Sequence, residues 1–224
     1  MPETVRAVIF DLDGVLADSE PWWNQIDAQL LAAYGITYRG EYHRDVLGVN
    51  YRAAIEFYKT AFHLAAFTEE MMLKRAEIAS AVFASRVGLF PSAESVLKQL
   101  RQLDLLLAVG TSSVSASARP FLDRHNLTSL FNVFVTGDEV QHGKPHPDIY
   151  LSTAAKLGVT PAACLVIEDS LSGIAAAKAA KMAVATIPDR RFVNPSEYEA
   201  QADYLLASLT EIPPLLSQSR QPSS

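Results

Sequence analysis

A chain of 224 residues is long enough for one large domain with an insertion and for a substantial buried core. With 49% hydrophobic and 20% charged residues it has an ordinary globular composition, and its formal charge of -6 at pH 7 argues against a general nucleic-acid binder, which needs a basic stripe to displace counterions from phosphates. A single cysteine, Cys164 in an apolar run, excludes an internal disulfide framework and reads as a buried structural thiol, while the absence of a signal-peptide pattern and of a long apolar run predicts a cytoplasmic protein with no membrane span.

Val5 with Ala7 to Phe10 predicts a strand covered on both faces, because the apolar/polar alternation of a half-exposed strand is missing. It runs into Asp11, Asp13 and Gly14. Two residues apart near a strand end, the two aspartates project the same way, and carboxylates that close repel unless a proton or cation lies between them. A hard divalent ion such as Mg2+ is the usual solution, and an Asp oxygen facing it can act as a nucleophile. Asp-x-Asp-Gly is equally a polar turn ending a strand, so these four residues leave both readings open.

Pro21 to Ala33 carries Trp22, Trp23, Ile26, Leu30 and Leu31 at helical spacing, with Gly35 as its stop; the aromatics read as packing. Residues 37 to 50 are turn-rich. Tyr51 to His63 and Thr68 to Ser85 predict helices, the second with Thr68 as cap and Glu69 and Glu70 in its first turn. From Phe90 the pattern alternates: helix Ser92 to Gln102, strand Leu105 to Val109, helix Ser115 to His125, strand Val133 to Val135. Helix Pro147 to Leu157 follows, then strand Cys164 to Ile167, helix Ser170 to Lys181, strand Ala183 to Ile187 and a short strand at Tyr204 to Ala207. Such alternation specifies an α/β fold, a doubly wound parallel sheet of Rossmann-like type, interrupted after its first strand by a small all-helical cap domain. The expected division is a core of residues 1–17 and 86–216, a cap of residues 18–85, and a mobile polar tail at 217–224.

Open sheets of this kind bind ligands beyond the carboxyl ends of their strands. The residues there are Asp11-Leu12-Asp13, Gly110-Thr111-Ser112-Ser113, Thr136-Gly137-Asp138 and Glu168-Asp169-Ser170. The second set offers hydroxyls and, with Ser115 opening a helix, backbone amides that favour a phosphate. The fourth brings two more acids to the first pair, a cluster unstable without a metal. Lys144, held in a loop between Gly143 and Pro145, supplies the cation for an anionic substrate. Glu20, just past the crossing into the cap, is placed either to bond sugar hydroxyls or to face solvent. His43, Arg44, Tyr51 and Arg52 lie in or beside the cap loop, where a solvated face is the default. His142 and His146 flank Lys144, but with no cysteine or third histidine nearby no zinc site is expected.

DLDGVLADS at 11–19, TSS at 111–113, GKPHPD at 143–148 and EDS with Gly173 at 168–173 together resemble the haloacid dehalogenase superfamily, in its helical-cap branch of sugar-phosphate phosphatases and β-phosphoglucomutase. The ordered quartet spans the chain to about residue 210. The resemblance implies a Mg2+-dependent phosphatase that hydrolyses a small phosphorylated metabolite, a sugar or sugar-alcohol phosphate, through an aspartyl-phosphate. It implies Asp11 as nucleophile, Asp13 as general acid and base, Thr111 with the Ser112 amide on the phosphoryl oxygens, and Lys144 steadying both nucleophile and phosphoryl group. Asp169, helped by Glu168, is implied to hold Mg2+ with Asp11 and Asp13, the latter through its carbonyl. Glu20 and the specificity-loop positions Gly48, Asn50 and Arg52 are the candidate substrate contacts.

The chain departs from two branches. A dehalogenase lacks an acid at position 13 and needs no Mg2+. The mutases carry a cap histidine where Trp23 stands, and a lysine and an arginine around the loop glycine that Leu47 to Tyr51 does not supply. A phosphosugar mutase is the alternative activity. A non-catalytic phosphometabolite-binding protein is a further one, against which the intact Asp11, Asp13, Lys144 and Asp169 argue. The oligomeric state is left open.

Overall fold

The computed structural model describes residues 5–46 and 49–218, apart from the side chains of Arg44 and Gln218. Chain order runs β1 (Ala7–Phe10), β2 (Ala17–Asp18), α1 (Glu20–Ala32), α2 (His43–Val46), α3 (Tyr51–Ala61), α4 (Thr68–Ser85), β3 (Gly88–Leu89), α5 (Ala93–Gln102), β4 (Leu106–Gly110), α6 (Ser115–Arg124), β5 (Val133–Val135), α7 (Asp148–Leu157), β6 (Cys164–Glu168), α8 (Leu171–Ala179), β7 (Ala183–Thr186), β8 (Tyr204–Leu205) and α9 (Ile212–Gln218).

Strand β1 is the centre of the sheet because all its side chains are apolar and none is exposed. Val8 and Phe10 point to one face and pack with residues of α5, α6 and α9; Ala7 and Ile9 point to the other and pack with α7 and α8. The sheet order is β5-β4-β1-β6-β7-β8, with every pair parallel. Ala7 pairs with Leu106 on one side and Cys164 on the other, so the carboxyl ends of β4 and β6 flank that of β1. The chain winds outward from β1 first through β4 and β5, then through β6 to β8, and the loops carrying residues 11–13, 111–113 and 168–170 meet where that order reverses.

The segment between β2 and β3 is helical, with its own apolar clusters around Leu30, Ile55 and Met71 and around Leu31, Tyr38 and Tyr58. Its two crossings are paired: β2 and β3 form an antiparallel ribbon through Ala17–Leu89 and Asp18–Gly88. Arg75 of α4 is buried inside this segment. Its guanidinium grips Asp27 at 2.7 and 3.2 Å and lies between the Trp23 and Tyr51 rings, while Tyr58 donates to the same carboxylate at 2.8 Å. A charge pair removed from water needs such added partners to offset its desolvation.

Several local expectations differ from the structure. The turn-rich stretch contains the short helix α2, and the chain beyond residue 211 forms α9. That helix runs through Ser217 and Gln218, the first two positions of the expected tail; the rest lies outside the described residues. Thr68 does not cap α4, since its hydroxyl is taken by Glu56 and Lys59 across the cap. Ser92 precedes α5 in a left-handed conformation with no side-chain capping bond. Gly158 closes α7 as a left-handed cap at φ +69°. Cys164 is fully buried, and burial pushes its thiol up to about 11, in keeping with a structural role.

Candidate active site

Asp11 and Asp13 leave β1 in one loop but enter different surroundings. Asp11 is 7% exposed and accepts a 2.8 Å bond from the Lys144 ammonium. Asp13 sits in a shell of neutral donors: Ser19 at 2.7 Å and the Trp23 indole at 3.2 Å on one oxygen, Ser113 at 2.7 Å on the other. Ser19 precedes α1 and Trp23 lies on it, so the start of the cap holds Asp13 from one side and the loop after β4 from the other. Gly14 makes this turn possible. It adopts φ +71°, and a Cβ there would lie 1.8 Å from an Asp169 oxygen, so only glycine lets the first and fourth loops touch.

Lys144 is 3% exposed and is anchored from behind by Glu168 at 2.7 Å. The Glu168 carboxylate is fully engaged: one oxygen takes Lys144 and the Tyr150 hydroxyl at 2.6 Å, the other takes the amides of Asp169 and Ser170 and the Ser170 hydroxyl. Gly173 leaves room for it, since a Cβ there would meet a Glu168 oxygen at 1.6 Å. Glu168 thus holds Lys144 and the turn into α8. Thr111 is buried and its hydroxyl accepts the Ser113 amide at 3.0 Å, bracing the loop that presents Ser112 to the cavity. The anion site expected at the start of α6 is differently used: the Ser115 amide donates to Asp138 at 2.9 Å.

Ligand oxygens of Asp11, Glu168 and Asp169 lie within 4.8 Å of one another, and the electrostatics show the strain of that cluster. Burial pushes Asp11 up to about 7, against the pull of Lys144 and with the push of Glu168 and Asp13. Burial, then Glu168 and Asp11, raises Asp169 well above the carboxylate range. Burial also acts on Glu168, but the Lys144 charge and the hydrogen bonds from Lys144, Tyr150 and the Ser170 amide outweigh it and hold it low. Lys144, despite burial, is raised by Asp11 and Glu168 and stays charged. Two aspartates driven toward protonation, with oxygen as the sole donor type, fit a hard divalent cation such as Mg2+.

One cavity of about 710 Å³ opens onto this cluster. It brings together Asp11, Asp13, Thr111, Ser112, Lys144, Asp169 and Glu20 of the expected residues. Asn50 and Arg52 are not on its wall. Asn50 caps α3 by accepting from the Ala53 amide and reaches the Lys144 carbonyl at 3.4 Å, and Arg52 is exposed beside Glu69. Gly48 lies outside the described residues. Arg75, Asp189 and Tyr198 join the wall unanticipated, and so do Trp23, expected to pack, and His43 and Tyr51, for which a solvated face is the default. The i, i+3 and i+4 spacing that marked Trp23 as packing is true of its ring, which abuts Phe83 at 5.5 Å, while its N–H faces the cavity. Outside it, His142, His146 and Asp148 gather on the surface, with the rings stacked at 4.7 Å and His142 on Asp148 at 3.0 Å.

A family model described as haloacid dehalogenase-like hydrolase matches residues 8–187, most of the chain and every loop described above. The chain belongs to the haloacid dehalogenase-like hydrolases. Among curated relatives, hexitol phosphatase B of Escherichia coli (strain K12) is 31% identical over 215 residues, covering 94% of this hydrolase and 96% of the relative. The phosphorylated carbohydrates phosphatase of Thermotoga maritima is 35% identical over 176 residues, 79% of this chain and 82% of that one. Among solved structures, CbbY of Rhodobacter sphaeroides in complex with phosphate superposes with a TM-score of 0.82 at 26% identity, over 93% of this chain and 96% of that chain.

Two expected results follow for this hydrolase. Gly14→Ala forces Asp169 away from Asp11 and weakens Mg2+ binding about 10- to 100-fold, the effect of misplacing a metal ligand, read by titration calorimetry. Unchanged affinity would show that the close approach is dispensable. Without divalent cation, stability falls as pH rises, because a buried acid with a raised pKa favours folding in its neutral form. The Asp11 contribution is lost between its ordinary 3.8 and about 7, and that of Glu20 between 4.5 and about 8. Added Mg2+ raises the melting temperature more at pH 8 than at pH 5, by at least about 4 °C. An equal shift at both pH values contradicts this.

Proposed function

We propose that this hydrolase is a Mg2+-dependent phosphatase acting on a small phosphorylated metabolite, a sugar or sugar-alcohol phosphate, through an aspartyl-phosphate at Asp11. The observation that carries the reading is the division of labour between the two aspartates: Asp11 faces a buried ammonium at 2.8 Å and Asp13 faces neutral donors only. An Asp11 oxygen attacks phosphorus in line with the ester oxygen, the P–O bond to the alcohol breaks, and Asp13 gives its proton to the leaving oxygen. Asp13 then takes a proton from water, whose oxygen attacks the acyl phosphate and releases inorganic phosphate, restoring Asp11.

Lys144, the Thr111 hydroxyl and the Ser112 amide hold the transferring phosphoryl group and offset its charge, which is most of what phosphoryl transfer requires. Mg2+, held by Asp11, Asp169 and the Asp13 carbonyl, would neutralise the charge shared by nucleophile and phosphoryl group. The helical segment of residues 18–85 serves as a cap that excludes water and selects the substrate. The 3.4 Å contact of Asn50 with the Lys144 carbonyl and the Trp23 bond to Asp13 support a closed position in which cap and core share the site. Trp23 in place of the mutase histidine favours hydrolysis over transfer back to sugar.

The test is a Mg2+-supplemented phosphate-release screen over sugar phosphates, sugar-alcohol phosphates, nucleotides and phosphoglycolate. Release from a sugar or sugar-alcohol phosphate is expected. Conversion of a hexose 1-phosphate to its 6-phosphate without phosphate release would replace the reading by a mutase, and no turnover of any compound would end it.

A further inference from the structure

The loop between β5 and α7 turns its side chains to two sides. Lys144 is 3% exposed, whereas His142 and His146, two residues before and after it, are exposed and stand off the wall of the cavity. The two imidazoles stack at 4.7 Å with 29° between their planes, and Asp148, the first residue of α7, meets His142 Nδ1 at 3.0 Å. One ligand atom from each of the three lies within 4.8 Å of the others. The backbone already sets this spacing: the His146 amide donates to the Gly143 carbonyl at 3.0 Å and the His142 amide to Asp148 at 3.2 Å, while Pro145 and Pro147 fix φ on either side of His146. Little backbone freedom is left to lose on binding.

These donors are accessible and not used up. Asp148 gives His142 one oxygen, and among the described residues neither its second oxygen nor the His146 ring takes part in a hydrogen bond. All three side chains are at least partly open to solvent, so an ion reaches them without any opening of the fold. Two imidazoles and a carboxylate suit a first-row transition ion, Zn2+ among them, whereas Mg2+ takes oxygen ligands. Bonds of about 2.1 Å to Zn2+ place tetrahedral ligand atoms about 3.4 Å apart, a closure of at most about 1.4 Å that exposed side chains make by rotation. We propose that His142, His146 and Asp148 form a surface site for such an ion, separate from the carboxylate cluster of the cavity, and that the ion clips together the two ends of the loop carrying Lys144. A search of the sequence for cysteine and histidine passes over this site, because its third ligand is an aspartate.

The site stands independently of the phosphatase reading, and direct binding tests it. Zn2+ is titrated calorimetrically into the full chain in excess Mg2+, then into His146→Ala, Asp148→Asn and Asp169→Asn, each checked for folding by a zinc-free thermal melt. One Zn2+ per chain is expected at this site, with an affinity that falls at least about tenfold in His146→Ala and in Asp148→Asn, the cost of disturbing a metal's ligands, and holds in Asp169→Asn. At about a hundredfold above Kd, Zn2+ is expected to raise the melting temperature of the unaltered chain by about 5 °C more than that of His146→Ala, because the ion binds the folded loop. Zn2+ binding lost in Asp169→Asn and kept in both loop variants would assign the ion to the cavity and overturn the site. An isotherm that neither loop substitution changes, or no binding at all, does the same, and equal melting shifts in the unaltered chain and His146→Ala overturn the clip.

Discussion

Asp11→Asn lowers kcat at least about 10⁴-fold while the melting temperature moves by no more than about 4 °C. The substitution keeps the shape of the side chain and removes the carboxylate that the proposed mechanism makes the nucleophile. It is tolerated because Asp11 is strained as an anion: burial and the neighbouring Glu168 and Asp13 push its carboxyl up to about 7, so a neutral amide relieves repulsion. Lys144 loses one partner but keeps Glu168 at 2.7 Å. The measurement is phosphate release beside a thermal melt, with intact-mass detection of a phosphorylated adduct on the unaltered protein alone. Retained turnover in the variant would place the nucleophile elsewhere.

Lys144→Ala damages activity and stability together. The ammonium is 2.8 Å from Asp11 and 2.7 Å from Glu168 in a fully buried site, and it lies 4.9 Å from the centre of the Tyr150 ring. In the proposed mechanism its loss strips the phosphoryl group of a fixed positive charge, an effect of about 10³-fold on kcat/KM. It also leaves Glu168, at 0% exposure, ionised without a counter-charge, which costs about 3–5 kcal/mol, or a melting temperature lower by roughly 6–20 °C. The second variant separates the effects. Lys144→Met combined with Glu168→Gln removes both charges, so stability recovers by more than half while activity does not. A double variant as unstable as the single one would mean that hydrogen bonds around Glu168, rather than the buried charge, hold this corner together.

Recovery of the site from sequence followed the kind of signal each residue carries. Asp11, Asp13, Thr111, Lys144 and Asp169 follow buried strands or a Gly/Pro-bounded loop, and a parallel sheet delivers such positions to one edge whatever the details of packing. Gly14 was legible only as a turn former. Its closer reason, the 1.8 Å approach of Asp169 to an added Cβ, exists only once two loops more than a hundred residues apart are brought together. Glu168 was read as a metal helper because carboxylates next to each other look alike in sequence. Five hydrogen bonds from Lys144, Tyr150, Asp169 and Ser170 also make it an anchor, while its oxygens stay within 4.8 Å of those of Asp11 and Asp169.

The cap was harder. Asn50 and Arg52 were nominated from a loop position, yet Asn50 caps α3 and Arg52 faces solvent. Trp23 passed for packing, which its ring does, while its N–H donates to Asp13; Tyr51, expected on a solvated face, is buried on the cavity wall. A side chain with an apolar body and a polar tip serves both purposes, and helical spacing reports only the body.

By itself, then, the sequence determined a parallel α/β sheet with a helical insertion and a cluster of carboxylates, hydroxyls and one lysine at its carboxyl edge, because strand burial and βα alternation are local patterns that dictate where loops emerge. The tertiary structure alone decided which acid faces the ammonium and which faces neutral donors, that Glu168 is engaged, and that the cap lends Trp23, Tyr51 and His43 to the cavity. Those outcomes depend on distances of a few ångströms between segments far apart in the chain, and no spacing along the chain encodes them.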